Sequence, residues 1–171
     1  MGDSRQATFR VNTHGSFVSV LISGKANYLN CSDFRVFLHQ MLEDSRKQIV
    51  IDFAQCTGMD STFLGILAGT AIALRESEPA GSLIVQNLSE RNHELVANLG
   101  LHNLLTVIDD VSSATPSNET LDYDALAEGV VADTRAVLES HENLVRADAS
   151  NQNKFQDVIS FLKNQVDTKE N

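Results

Sequence analysis

The chain opens with two short runs of β-branched and aromatic residues, Thr8 to Val11 and Ser16 to Ile22, with His14-Gly15 between them. That pattern predicts a β-hairpin of two antiparallel strands. Ser23-Gly24 and the polar stretch Lys25 to Asn30 read as a loop, after which the period changes: Phe34, Phe37, Leu38, Met41 and Leu42 recur at helical spacing. Cys31-Ser32-Asp33 offers N-cap chemistry at the start of this helix, and Arg46-Lys47 sits near its end, where cations suit the dipole. Gln48 to Phe53 is a short apolar run that predicts a buried central strand. Cys56-Thr57-Gly58-Met59 makes a turn, and Asp60-Ser61-Thr62 then leads into an apolar helix that continues to Leu74.

Pro79-Ala80-Gly81 breaks that helix. Ser82 to Gln86 predicts another buried strand, and Ser89-Glu90-Arg91-Asn92 begins a third helix with Leu95, Val96 and Leu99 on its apolar face. Gly100 suits the position just past the helix end, and Leu104 to Ile108 predicts a last strand. Helices alternating with buried strands imply parallel βαβ pairing with right-handed crossovers, so residues 8–108 are expected to form an α/β sheet covered by helices.

Asp109 to Thr120 is rich in Ser, Thr, Asp and Asn around Pro116 and reads as a linker. The expected division is a domain over 1–112, a linker over 113–120 and an acidic helical extension over 121–171. In the extension, apolar pairs recur every seven residues at Val130/Val131, Val137/Leu138 and Leu144/Val145, skip Asn151/Gln152, and return at Val158/Ile159. The skip within Ala149 to Asn153 predicts two helices with a break, or one long helix with a polar layer. Such a stripe can fold back on the domain, dock a partner helix or form a homodimer.

Composition narrows the function. The 171 residues carry 13 Lys and Arg against 23 Asp and Glu, a net charge of −10. That charge repels a phosphate backbone, which disfavours direct nucleic-acid binding. Residues 113–171 hold 5 basic and 11 acidic residues, so the extension carries more negative charge for its length than the domain does. The longest apolar run, around Phe63 to Leu74, is broken by Thr70 and two glycines and falls short of the roughly 20 residues a membrane span needs. MGDSRQATFR has no apolar core of a signal peptide, so a cytoplasmic protein is expected. Cys31 and Cys56 lack a metal-like spacing and are expected to be free thiols.

The five histidines are scattered, with no pair at the i, i+4 spacing of a helical metal site. His141-Glu142 in the extension raises a phosphotransfer-histidine reading, but that chemistry usually needs a longer helical bundle than this tail supplies. No nucleophile elbow, P-loop or dinucleotide fingerprint is present, so neither enzymatic activity nor a cofactor nor a metal is expected. The chemistry sits instead at Asp60-Ser61-Thr62. Here a strand delivers the chain to a helix start, where Asp60 can cap unpaired backbone N–H groups and the dipole tolerates an added phosphate on Ser61. Phosphorylation would add about −1.5 to −2 charge and three acceptor oxygens, enough to repel or recruit a partner surface without refolding the domain.

The order of elements, Asp60-Ser61-Thr62 followed by Leu64-Gly65-Ile66-Leu67, and the segment Leu95-Val96-Ala97-Asn98-Leu99-Gly100-Leu101 resemble a STAS domain of the anti-sigma-factor antagonist family, over roughly residues 8–110. The resemblance implies a STAS-like sheet of about five strands. It also implies that Ser61 is phosphorylated by a serine kinase that is itself the anti-sigma factor, and that the unphosphorylated antagonist binds this kinase and frees the sigma factor. Asn27, Asp60, Ser61, Thr62 and Phe63 take the partner-binding positions. Two positions depart from the family pattern: Phe63 stands where glycine is common, and Gly24-Lys25-Ala26-Asn27 replaces Gly-x-x-Asp, so an amide stands where a carboxylate would. The alternative role is a non-enzymatic scaffold in a stressosome-like or lipid-transport-ATPase assembly. A transporter carrying the same domain as a tail is excluded, because the chain has no spanning segment.

Overall fold

A computed structural model describes residues 7–109 and 122–171; the expected linker at 113–120 lies outside the described residues. The opening hairpin forms from β1 (Phe9–Asn12) and β2 (Val18–Ala26), antiparallel with Phe9 opposite Ile22. Next come α1 (Ser32–Glu43), β3 (Gln48–Met59), α2 (Ser61–Glu76), β4 (Ser82–Gln86), α3 (Glu90–Asn98), a short 3₁₀ turn at Leu101–Asn103, and β5 (Thr106–Ile108). β2, β3, β4 and β5 pair in parallel. Among the described residues the sheet has six strands, the five expected and one more, in the order β5-β4-β3-β2-β1-β6. The sixth, β6 (Asp124–Ala125), comes from the C-terminal extension and adds antiparallel to the free edge of β1, where unpaired backbone groups would otherwise remain.

β3 is continuous in hydrophobicity yet alternates in burial: Ile49, Ile51 and Phe53 are buried while Val50 and Asp52 are only half-buried. The sheet is therefore packed more fully on one face than the other, and β3 is not buried on both sides as its apolar run predicts. β3 also runs past Phe53 to Met59, following β2 through two register shifts, and so carries the chain directly to Asp60. The core under this face is aromatic. The rings of Phe9 and Phe34 stack at 4.5 Å between centroids, and Phe63 lies 6.1 Å and 5.8 Å from them.

Two local expectations for α1 differ from what forms. Cys31 occupies the N-cap but makes no side-chain cap bond; the loop instead turns on the Asn27 carbonyl, which accepts from Asn30 N and Cys31 N. Arg46 does not serve the helix end. Its guanidinium donates to the carbonyls of Thr13 and Gly15, at 2.8 and 2.7 Å, and so ties the hairpin turn to the α1–β3 junction.

The extension forms two helices, α4 (Thr134–Ala147) and α5 (Asn151–Lys169), with the break at residues 148–150. Val130 and Val131 precede α4 and are exposed, so the helical stripe starts only at Val137. α4 packs on α2 at two glycines. A Cβ on Gly65 would lie 2.1 Å from the Ser140 carbonyl oxygen, and one on Gly69 would lie 2.4 Å from the Asn143 amide nitrogen. Glycine is what allows the two helix backbones to approach this closely. The polar interruption at Asn151 is a clamp rather than a coiled-coil layer. Asn151 is fully buried, and its amide donates to the carbonyls of Leu99 and Leu144, at 2.9 and 2.8 Å, which ties the ends of α3 and α4 together.

Gly65→Ala should cost about 1–3 kcal/mol through overpacking, read as a lower urea midpoint, with amide exchange rising first in α4. Asn151→Ala leaves two buried carbonyls without their donor and should cost about 1–3 kcal/mol for each. A midpoint unchanged in both variants would mean that α4 does not pack on α2.

Candidate functional site

Ser61 is the first residue of α2, and the two oxygens of the preceding Asp60 organise its surroundings. Oδ1 accepts from Phe63 N at 2.9 Å and caps the helix, as its position predicts. Oδ2 accepts from Tyr28 N, also at 2.9 Å, and Asp60 N donates to the Ala26 carbonyl. One side chain thus joins the start of α2 to the β2–α1 loop. That loop is held in turn by Asn27, whose side-chain oxygen accepts from Leu29 N at 2.9 Å, and by Asn30, whose amide donates to the Lys25 carbonyl at 2.7 Å. The Asn27 amide so fills a local structural role that needs no charge. A shallow cleft beside it is lined by Lys25, Asn27, Asp60 and Arg91, which gives the edge of the site two cations.

The fold brings Asn27, Asp60 and Ser61 to one surface and turns Thr62 and Phe63 away from it. Thr62 is buried, and Phe63 is fully buried against Phe9, Phe34 and Phe53. In this conformation neither side chain is presented to a partner. A large residue at position 63 supports the site from beneath rather than crowding it.

His141, weighed from the sequence only as a phosphotransfer histidine, is the site residue whose pairing with Ser61 sequence reasoning missed. Its Nε2 lies 2.9 Å from Ser61 Oγ, and its Nδ1 lies 2.7 Å from the Val137 carbonyl oxygen. A carbonyl only accepts, so Nδ1 carries a proton, and in the neutral ring Nε2 is then the acceptor for the Ser61 hydroxyl. His141 is 4% exposed, and its ring meets Phe155 edge-on at 5.2 Å. A hydroxyl paired with an imidazole that a third group orients is also the arrangement of an activated nucleophile. The available signal was faint: Val137, His141 and Leu144 fall at i, i+4 and i+7 and share one face of α4, but nothing in the sequence links that face to residue 61.

Cys31 and Cys56 are both buried free thiols. Burial, reinforced by the nearby Asp60 charge, pushes Cys31 up to about 12, and burial likewise raises Cys56. Among the described residues no group of three His, Cys, Asp or Glu side chains is placed to hold a metal ion, and no helix is long and apolar enough to cross a membrane.

A six-stranded mixed sheet with an opening hairpin and a serine at the start of the helix after β3 defines a class of small α/β domains. The family model described as "Mlab, STAS domain" matches residues 9–106, and this chain belongs to the STAS domain family. An anti-sigma-B factor antagonist of Staphylococcus epidermidis is 28% identical over 95 residues, covering 56% of this chain and 86% of the relative. One from Staphylococcus aureus is 27% identical over the same length and shares. In three dimensions the domain is similar to the unphosphorylated form of the anti-sigma factor antagonist SpoIIAA, with TM-score 0.51 and 17% identity over 61% of this chain and 90% of that one. An antagonist candidate from Thermotoga maritima gives TM-score 0.55 and 17% identity over 62% of this chain and 90% of that one. The chain is thus a STAS protein distantly similar to anti-sigma factor antagonists, with helices beyond the matched domain.

Asp60→Ala should cost about 0.5–2 kcal/mol through the lost cap and free the Tyr28 amide, read as faster exchange at Tyr28 and Phe63 together. Cys31 should not react with an aromatic disulfide reagent near neutral pH. Its folded pKa of about 12 lies above the free-thiol value of 9.0, so the stabilisation it contributes is complete below pH 9 and is lost as pH rises toward 12. Rapid labelling of the folded chain at pH 8 would contradict this placement.

Proposed function

We propose that this protein is a non-enzymatic anti-sigma-factor antagonist working by phosphorylation-controlled partner switching. With Ser61 unmodified, the surface formed by Asn27, Asp60 and Ser61 binds an anti-sigma factor that is also a serine kinase; phosphate on Ser61 ends that binding. The observation that carries this reading is the Ser61 hydroxyl at the start of α2, joined through Asp60 to the β2–α1 loop. It stands in a domain whose curated relatives are named anti-sigma-B factor antagonists and are matched over 86% of their length. The physical support is electrostatic: the helix start accepts an anion, while about −1.5 to −2 of new charge changes what can dock beside it.

A second reading, a docking scaffold in a stressosome-like or lipid-transport-ATPase assembly, is favoured by one specific observation. The Ser61 hydroxyl is already engaged by His141, as suits a domain that binds partners without being phosphorylated. A homodimer through the extension has exposed apolar side chains to use at Val158 and Phe161 of α5 and at Val130 and Val131 before α4.

Incubation with a candidate anti-sigma kinase and ATP should place phosphate on Ser61, mapped by mass spectrometry, and Ser61→Ala should abolish it. Ser61→Asp should weaken capture of that kinase about tenfold or more, since a charge in a docked interface costs on the order of 1.4 kcal/mol or above. Undiminished labelling of Ser61→Ala sinks the switch assignment. Capture of a transporter ATPase instead of a kinase supports the scaffold.

A further inference from the structure

The extension does more than complete the core: its two helices flank Ser61, which is left half-buried at the start of α2. His141 of α4 bonds the hydroxyl at 2.9 Å, and Phe155 of α5 backs the imidazole. The groove that remains beside Ser61 is walled on its far side by Lys154 and Phe155, again from α5. Close glycine contacts at Gly65 and Gly69 set the depth of α4, the Asn151 clamp fixes its C-terminal end, and Arg35 pairs with Glu139 at 2.5 Å along its flank. The segment leading into α4 is also tied to the site, since Ala132 N donates to the Tyr28 carbonyl at 2.8 Å while Tyr28 N donates to Asp60.

We infer that α4 and α5 form an autoinhibitory cover over Ser61, held by the Ser61–His141 hydrogen bond and the glycine-lined α2 face, which a partner or kinase must displace to reach the serine. This rests on the reading of Ser61 as the switch. The reason is steric and chemical together. Transfer of a phosphoryl group needs the donor within about 3–3.5 Å of the hydroxyl oxygen along an open line, and a buried imidazole stands at that distance on one side. The three oxygens of a phosphate on Ser61 would compete with the ring for the same space. The Ala132–Tyr28 and Tyr28–Asp60 bonds link the segment leading into α4 to the loop half of the site.

The test uses the full chain and a bulky polyethylene-glycol maleimide. The thiol introduced by S61C should label at least about tenfold more slowly than that of S16C on the exposed hairpin turn, because it reacts only when the cover opens. Adding H141A, or separately N151D, to S61C should speed labelling at least about tenfold. Buried Cys31 and Cys56 give little background. S61C reacting as fast as S16C, or showing no acceleration with H141A, overturns the cover; H141A leaves the glycine contacts intact and decides the matter if N151D does not fold. Failure of the switch reading shows up separately, as absence of phosphate on Ser61 in the H141A and N151D variants as well as in the parent chain.

Discussion

The structure depends on α2 being covered on two sides. Its residues from Thr62 to Ala68 are buried without interruption, and Thr70, Ala71 and Leu74 continue the burial into the last turns. A helix apolar around its whole circumference is stable only between two surfaces. The sheet with α1 supplies one, and α4 supplies the other. Gly65 and Gly69 let the two helix backbones come close together, and that closeness brings the α4 backbone to the level of Ser61. Fold and site therefore share one packing constraint: whatever seats α4 on the glycines also seats His141 on the serine.

Within the domain, the site is a consequence of where β3 ends. Register shifts against β2 extend β3 to Met59, so Asp60 emerges beside the β2–α1 loop and can bond it and the helix start at once. The aromatic cluster of Phe9, Phe34, Phe53 and Phe63 lies directly below and gives the first turn of α2 a rigid floor. Polar geometry above rests on apolar packing below, which fixes the first turn of α2, and Ser61 with it, in place.

Much of the domain was legible because its signals are local. Asp60 forms the side-chain cap expected of it, the third helix begins at Ser89-Glu90 as the sequence places it, and Gly100 takes the left-handed conformation expected past a helix end. β4 forms over the residues its apolar run marks. The departures have physical causes of the opposite kind. The run Ile49 to Phe53 is apolar at every position but Asp52, so it could not show that only alternate residues would be deeply buried. Arg46 sits where a helix dipole would use it, yet two carbonyls of the hairpin turn, brought near by the sheet, offer firmer hydrogen bonds. Phe63 read as a surface residue beside the switch, and the neighbouring rings drew it into the core.

By itself the sequence determined the alternation of strands and helices, the cap at Asp60, the serine that follows it, and the presence of a helical tail with one apolar stripe. These are set by residue type and spacing over a few positions. Only the tertiary structure decided that the tail supplies an edge strand to the hairpin, that its polar interruption is a clamp on two helix ends, and that His141 faces Ser61. The reason is that an apolar stripe specifies burial but not a partner. The glycines that select α2 as that partner lie some 75 residues away in the chain, and glycine announces close approach only once another backbone stands against it.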